Sequence, residues 1–176
     1  MKDLKLDVGC GPSCRPGYIG VDIRPEPGVQ IVCEAKDLLQ HVAPGTVAEI
    51  YTRHFLEHLS FAQALLTLRA FCQALKPGGQ LEIVVPDLKY HVWQYLCPQP
   101  AAPSAANPEW TQRQHAFAGF WGWQREGDTA MWDIHKSGYD QEALSAFLTQ
   151  AEFSEPRRVE DKPWNLHMVA VRAAAR

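Results

Sequence analysis

Leu4, Leu6 and Val8 form an apolar run that stops at Gly9-Cys10-Gly11, and a second run over residues 18–21 stops at Asp22, with only ten residues separating Gly11 from Asp22. No other feature limits the fold so strongly. A short apolar run closed by two glycines reads as a buried strand entering a tight turn that lacks bulky side chains. Glycine there lets backbone approach a ligand that a Cβ would exclude. In open α/β sheets the carboxyl ends of the strands form the ligand crevice, and a carboxylate at Asp22 suits two vicinal ribose hydroxyls. The gap is too short for a helix, where a dinucleotide-binding fold places about 20 residues. Without that helix's N-terminus to meet a pyrophosphate, a nicotinamide enzyme is disfavoured. The same shortage leaves one sheet face less covered. An apolar strip there is expected to be covered by the segment 93–132 or by a second copy of the chain, as in a homodimer.

The rest of the chain alternates strand and helix signals. Residues 29–32 read as a third strand and residues 47–51 as a fourth, with turns at Arg24-Pro25-Glu26-Pro27-Gly28 and Pro44-Gly45. Ser60 and Gln63 form a capping box, and Phe61, Leu65, Leu68, Cys72 and Leu75 give one apolar helical face. Lys76-Pro77-Gly78-Gly79 reads as the exit of that helix, and residues 81–85 as the next strand. Strand, helix and strand in succession make a right-handed crossover and a mainly parallel sheet. Residues 88–138 carry five of the six tryptophans and a Pro/Ala-rich loop over 98–108, with few periodic signals. Such an irregular insertion points to function more than to scaffolding. Asp140 caps a last helix with Leu144, Phe147 and Leu148 inward, and strands near 156–160 and 166–172 are expected to pair antiparallel.

At 176 residues and 46% hydrophobic, the chain reads as a single domain, 1–176, with a proper core. A formal charge of -3 with scattered basic residues leaves no footprint for nucleic acid, and Arg157-Arg158 reads as a solvated strand edge. No apolar run approaches the ~20 residues of a membrane span. Met1-Lys2-Asp3 passes directly into the first strand, so no signal peptide is expected. The five cysteines are odd in number, with Cys33 and Cys72 in apolar surroundings typical of reduced core thiols. A cytoplasmic protein is expected.

Asp7-Val8-Gly9-Cys10-Gly11, Asp22, Asp37, the stretch from His54 to His58 and Lys76-Pro77-Gly78-Gly79 stand in the order of class I S-adenosylmethionine-dependent methyltransferases, which the chain resembles over residues 4–88. It is similar to a small bacterial subgroup at Leu6-Asp7-Val8-Gly9-Cys10-Gly11 and Pro16-Gly17-Tyr18-Ile19-Gly20-Val21-Asp22. Further on, the likeness is confined to His135-Lys136-Ser137-Gly138-Tyr139-Asp140 and the helix after it. The resemblance implies an α/β, Rossmann-like sheet, mainly parallel with a C-terminal antiparallel strand, in which the helix between the first two strands is missing. It also implies S-adenosyl-L-methionine as cofactor. By analogy, Gly9, Cys10 and Gly11 would underlie the methionine and ribose, and Asp7 would orient that loop or help bind the ammonium. Asp22, with Ile23 beside it, would take the ribose hydroxyls. Asp37 and Leu38 would border the adenine, and Arg53 and His54 would face the sulfonium. Ser13 replaces the usual third glycine; the short first connection is one that the subgroup shares.

Methyl transfer from a sulfonium is an in-line displacement in which the protein chiefly aligns the nucleophile. A hydroxyl acceptor would also need a general base, most often histidine. His54 and His135 are the candidates and His58 a weaker one, each with a structural or surface role as its alternative. Glu57 reads as a residue that fixes the loop after the fourth strand. His54 and His58 would share one face of a helix in His-x-x-Glu-His. A strand feeds this segment and Leu56 and Leu59 look like packing residues, so no metal site is expected. Cys10 and Cys14 lack a zinc-ribbon spacing. Phe117, Phe120, Trp121, Trp123 and Trp132 read either as a lid over a flat or sugar-like acceptor or as a compensating core. The expected activity is methyl transfer to a small molecule or glycan-pathway intermediate. The alternative is a cofactor-binding module that needs a protein partner or is inactive.

Overall fold

The computed structural model describes residues 3–99, 103–124 and 130–174. Met1, Lys2 and part of the loop 98–108 lie outside the described residues. Seven strands form one sheet: β1 Leu4–Val8, β2 Ile19–Asp22, β3 Val29–Val32, β4 Val47–Arg53, β5 Leu75–Pro86, β6 Phe153–Val159 and β7 Asn165–Arg172. Their order is β3-β2-β1-β4-β5-β7-β6. The first five strands are parallel, and β7 runs antiparallel to both β5 and β6. The parallel strands therefore all end on one edge, and β7 begins there.

One helical layer covers one face. It consists of α1 Phe61–Ala74, α4 Gln141–Gln150 and a 3-10 turn, Ala35–Gln40. Leu6, Val8, Ile50, Leu81, Ile83, Leu166 and Met168 from the sheet meet Leu38, Leu68, Phe71, Leu144 and Leu148 from this layer, all of them buried. Both helices start on side-chain caps. Ser60 and Gln63 close the capping box on α1, and Asp140 accepts from the Ala143 amide on α4.

The opposite face corrects an expectation. Residues 9–18 and 23–28 contain no helix among them. The face they leave is not apolar, because strand alternation points Lys5, Asp7, Glu49, Tyr51, Gln80 and Glu82 outward. Lys5 Nζ pairs with Glu49 at 2.7 Å, Arg15 with Glu82 at 3.0 Å, and the Arg15 guanidinium lies 4.3 Å from the centre of the Tyr51 ring. This face satisfies itself, so the reason for placing residues 93–132 or a second copy over it falls away.

Two further differences concern element ends. α1 stops at Ala74, and Leu75 is already extended and paired with Val47, so Lys76-Pro77-Gly78-Gly79 is a bulge inside β5 and not a helix exit. The Arg172 guanidinium donates to the Gln73 and Leu75 carbonyls and satisfies the end of α1. The stretch 88–138 is less irregular than expected. It holds α2 Leu88–Leu96 and α3 Gln112–Trp121, packed on each other, and a 3-10 turn at Ala130–Trp132. Asp87 caps α2 at the Lys89 and Tyr90 amides, and Thr111 with Gln114 forms a capping box on α3. Their buried positions are His91, Gln94 and His115 with the small Ala116 and Ala118, while the larger apolar Val92, Trp93 and Leu96 of α2 are exposed, so apolar spacing does not mark the buried faces. No helix among the described residues is long and apolar enough to cross a membrane.

Candidate functional site

Two adjoining cavities open at the edge where the parallel strands end. The first, of about 380 Å³, is walled by the Gly9–Gly11 turn, by Asp22, Ile23 and Arg24 after β2, and by Cys33 to Lys36 after β3. His54 and Phe55 close it from β4, with Trp132 opposite. Gly9 has φ +72°, and its amide donates to the Val21 carbonyl at 2.8 Å. A Cβ there would overlap the Phe55 ring, so the turn and that ring need a glycine between them. Asp22 is nearly buried. Its Oδ2 accepts from the Gly11 amide at 2.9 Å and its Oδ1 from the Arg24 amide at 3.0 Å. Each oxygen keeps a lone pair, so one carboxylate can hold the turn and still face a ligand.

Of the residues singled out in the sequence, Gly9, Gly11, Asp22, Ile23, His54, His58 and Trp132 line this cavity, while Asp7, Cys10, Asp37, Leu38 and Arg53 lie off it. Asp7 sits beneath the turn, where its Oδ2 accepts from the Arg15 amide at 2.6 Å. Burial pushes its carboxyl up, against the Arg15 amide and charge. Cys10 points back towards Gly20, and burial with the nearby Asp7 charge pushes its thiol up to about 12. Leu38 is wholly buried in the core, while Asp37 is exposed and paired with Lys36 at 2.8 Å. The crevice wall expected from those two comes instead from Cys33, Glu34, Ala35 and Lys36, because β3 ends at Val32 and the crevice begins at once. Arg53 follows the strand alternation onto the polar face, where it meets Asp161 at 3.4 Å. His54, at φ +50°, is where the chain turns from that face into the cavity.

The second cavity, of about 310 Å³, gathers five of the seven histidines: His54, His58, His91, His115 and His135. Trp110, Trp123 and Trp164 supply its aromatic walls, while His54, His58 and Asp133 also line the first cavity. Of the expected aromatic run, Trp123 and Trp132 therefore border the crevice. Phe120 packs on His91 and Tyr95, and Phe117 and Trp121 face outward. His91 and His115 are hard to find in sequence because α2 buries His91 and Gln94 while exposing its apolar Val92, Trp93 and Leu96, and α3 has no apolar period. Gly119 lets α3 approach so closely that a Cβ would enter the His91 ring.

Glu57 is the buried hub of this region. It lies in a 3-10 turn, Leu56–His58, and its carbonyl accepts from the Lys136 and Ser137 amides at 2.8 and 3.1 Å, tying the turn to the segment that carries His135. Glu57 Oε1 stands 3.3 Å from His54 Nδ1, and Oε2 has no hydrogen-bond partner. Burial pushes the Glu57 carboxyl up, but the His54 contact and the surrounding imidazoles outweigh it and hold the carboxyl below its ordinary value. His135 Nδ1 lies 3.0 Å from the Gly119 carbonyl, and His58 Nδ1 lies 3.1 Å from the Ile134 carbonyl. A carbonyl can only accept, so both rings carry a proton on Nδ1, and in the neutral imidazole Nε2 is then the free acceptor. Burial holds the His135 imidazole below its ordinary value, against the pull of Glu57.

No protein-family model matches the chain, and no curated protein matches it in sequence. Solved structures do match in fold. A SAM-dependent methyltransferase from Methanosarcina mazei superposes with a TM-score of 0.61 at 16% identity, covering 99% of this chain and 95% of that one. A chain from Haloferax volcanii, solved in complex with a methyltransferase activator, gives 0.64 at 15% identity, covering 99% and 83%. The 1,6-didemethyltoxoflavin-N1-methyltransferase of Burkholderia thailandensis, holding its substrate and S-adenosylhomocysteine, gives 0.60 at 14% identity over 97% and 71%. The fold is that of the class I SAM-dependent methyltransferases.

Proposed function

We propose that this chain is a single-domain S-adenosylmethionine-dependent methyltransferase acting on a small molecule, a glycan-pathway intermediate included. The observation that supports this most is Asp22. A nearly buried carboxylate at the end of β2, held by the Gly11 and Arg24 amides, borders a cavity that shares a wall with a second, aromatic one. S-adenosylmethionine, when bound, supplies an electrophilic methyl on sulfur. Asp22 accepts from the ribose hydroxyls, and the open backbone at Gly9 and Gly11 admits the ligand's body. Cys33, Glu34, Ala35 and Lys36 border its flat base. The acceptor occupies the second cavity between Trp110, Trp123 and Trp164. His54 stands where the cavities meet and takes the proton of a hydroxyl acceptor; His135 holds the acceptor side of the pocket.

Isothermal titration with S-adenosylmethionine and S-adenosylhomocysteine, run beside NAD, tests the cofactor. Binding of NAD alone sinks the reading. Transfer of labelled methyl into a metabolite extract then tests for an acceptor.

A second reading is favoured by the outer surface of α2 and α3. Trp93, Leu96, Phe117 and Trp121 are exposed there, which suits a protein contact. In that reading the chain binds cofactor and turns over only with a partner, as the presence of an activator beside the Haloferax volcanii chain illustrates. Turnover by the purified chain alone excludes it. All five cysteines are free thiols, which suits a reducing compartment, and the cytoplasm is the proposed location.

A further inference from the structure

Glu57, His58 and His135 each offer one ligand atom, and these atoms lie within 4.8 Å of one another. We infer that they form a binding site for a first-row divalent metal ion, set in the wall of the second cavity. Three features carry the inference. With Nδ1 of both His58 and His135 engaged by main-chain carbonyls, Nε2 is the nitrogen each ring has left for an ion. A carbonyl on the far nitrogen is the arrangement that fixes the tautomer and the aim of a metal-ligating imidazole. The third ligand is a carboxylate whose Oε2 is buried without a partner, in a side chain only 1% exposed. His54 holds the other oxygen and so orients the carboxylate. An oxygen buried in this way calls for a donor or a cation, and among the described residues no donor reaches it.

The donor set also says which ions. Two imidazoles and one carboxylate suit zinc, iron, cobalt or manganese, whereas magnesium and calcium prefer oxygen alone. Ligands at about 2.1 Å from one ion stand roughly 3–4 Å apart, so the set closes on an ion with shifts of under about 1 Å. Three protein ligands leave positions open, as at catalytic rather than structural centres. His58 lines both cavities, so those positions face the place where they meet. An acceptor with an oxygen donor, or a pair of vicinal ones, would complete the coordination. This last role rests on the methyl-transfer reading; ion binding itself does not.

In sequence the His-x-x-Glu-His spacing suggests a metal only if His54 and His58 share a helical face, and the strand feeding the segment, with Leu56 and Leu59 as packing residues, argues against that. The segment is a 3-10 turn instead, the turn places Glu57 beside His58, and the second imidazole comes from the segment that follows the turn Ala130–Trp132.

The test uses the full chain stripped with a chelator. Zn²⁺ and Mg²⁺ are titrated by calorimetry and Co²⁺ by its visible absorption, with S-adenosylhomocysteine binding followed in parallel. One Zn²⁺ or Co²⁺ per chain is expected, Mg²⁺ binding far more weakly. Affinity should fall at least about tenfold in Glu57→Gln, in His58→Asn and in His135→Ala, and stay unchanged in His41→Ala. His58→Asn, at a side chain that is not fully buried, keeps the test sound if Glu57→Gln fails to fold. Absence of ion binding, or binding equal in all variants, overturns the site. Metal binding without S-adenosylhomocysteine binding would leave the site standing and remove the methyl-transfer reading; the converse would remove the site alone.

Discussion

Replacing Asp22 by Asn is the most informative single perturbation, because the carboxylate has two separable tasks. Its oxygens accept from the Gly11 and Arg24 amides at 2.9 and 3.0 Å. Asn keeps one oxygen and turns an NH₂ towards the other amide, so one charge-assisted bond becomes a donor facing a donor. Hydrogen bonds to a charged group are worth about 1.5–3 kcal/mol. Loss of one is expected to lower the melting temperature by roughly 5–10 °C in a domain of this size. The ligand side loses a similar bond, so the dissociation constant for S-adenosylhomocysteine should rise by roughly 10- to 100-fold. Since a loosened turn would also weaken binding, the 2′-deoxy analogue supplies the control. Wild type should discriminate strongly against it, and the Asn variant hardly at all, which isolates the diol contact as a coupling. Equal discrimination in both proteins would show that Asp22 is a strut for the turn and nothing more.

Gly9→Ala must place a Cβ at φ +72° and against Phe55, so it should cost at least about 1–2 kcal/mol of stability and weaken S-adenosylhomocysteine binding; a melt and a titration matching wild type would contradict the close approach. Arg15→Ala, on the polar sheet face, should cost no more than about 1 kcal/mol in urea unfolding, since its ion pair with Glu82 is half-exposed; a much larger loss would mean that this face carries core-like energy. His91 is held down to about 4 by burial, then by the neighbouring His115 and His135 charges, with Gln94 and the Trp164 backbone opposing. Its folded value lies below the unfolded one, so its stabilising contribution is complete above about pH 6.5 and is lost as pH falls towards 4. Wild type should lose roughly 2–3 kcal/mol between pH 6.5 and 4.5 that His91→Phe does not lose, and parallel pH profiles of melting would refute the assignment.

The parallel half of the sheet was legible because its strands are short apolar runs that end at glycine, aspartate or proline. What the same runs concealed was their alternate positions. Lys5 and Asp7 in β1, with Glu49, Tyr51 and Arg53 in β4, already spell a polar outer face, and reading the runs as apolar throughout invented a strip to be covered. Of the cofactor-side residues, Gly9, Gly11, Asp22 and Ile23 sit at strand ends, where position follows from where a strand stops. Asp37 and Leu38 were placed by analogy of order, and a few residues of difference in the exit from β3 move the wall onto residues 33–36. Glu57 was recognised as a loop-fixing residue, but its neighbours His58 and His135 meet only through the turn at 56–58 and its bonds to Lys136 and Ser137.

The contact between α2 and α3 shows why the acceptor side was the harder half to read, and what that side is for. A contact built for stability alone would bury leucine or phenylalanine, and its period would have been visible. Here His91, Gln94 and His115 are buried instead, with Gln94 Nε2 3.2 Å from His115 Nδ1 and with His91 Nδ1 and Gln94 Oε1 lacking partners. Such groups cost stability, and natural proteins keep them mainly where function requires them. The sheet carries some of the same cost at Thr52 Oγ1, Asn165 Oδ1 and His167 Nε2, although Leu6, Ile50, Leu81, Ile83 and Met168 make most of its core face apolar and ion pairs such as Lys5–Glu49 and Arg15–Glu82 serve its outer face. Among the described residues, Glu57, His91 and Asn165, three of the six with an unpartnered buried polar atom, line one cavity at the strand-end edge of the sheet, the one that gathers five histidines. That end is where a ligand with its own donors and acceptors, rather than more protein, would complete the bonding.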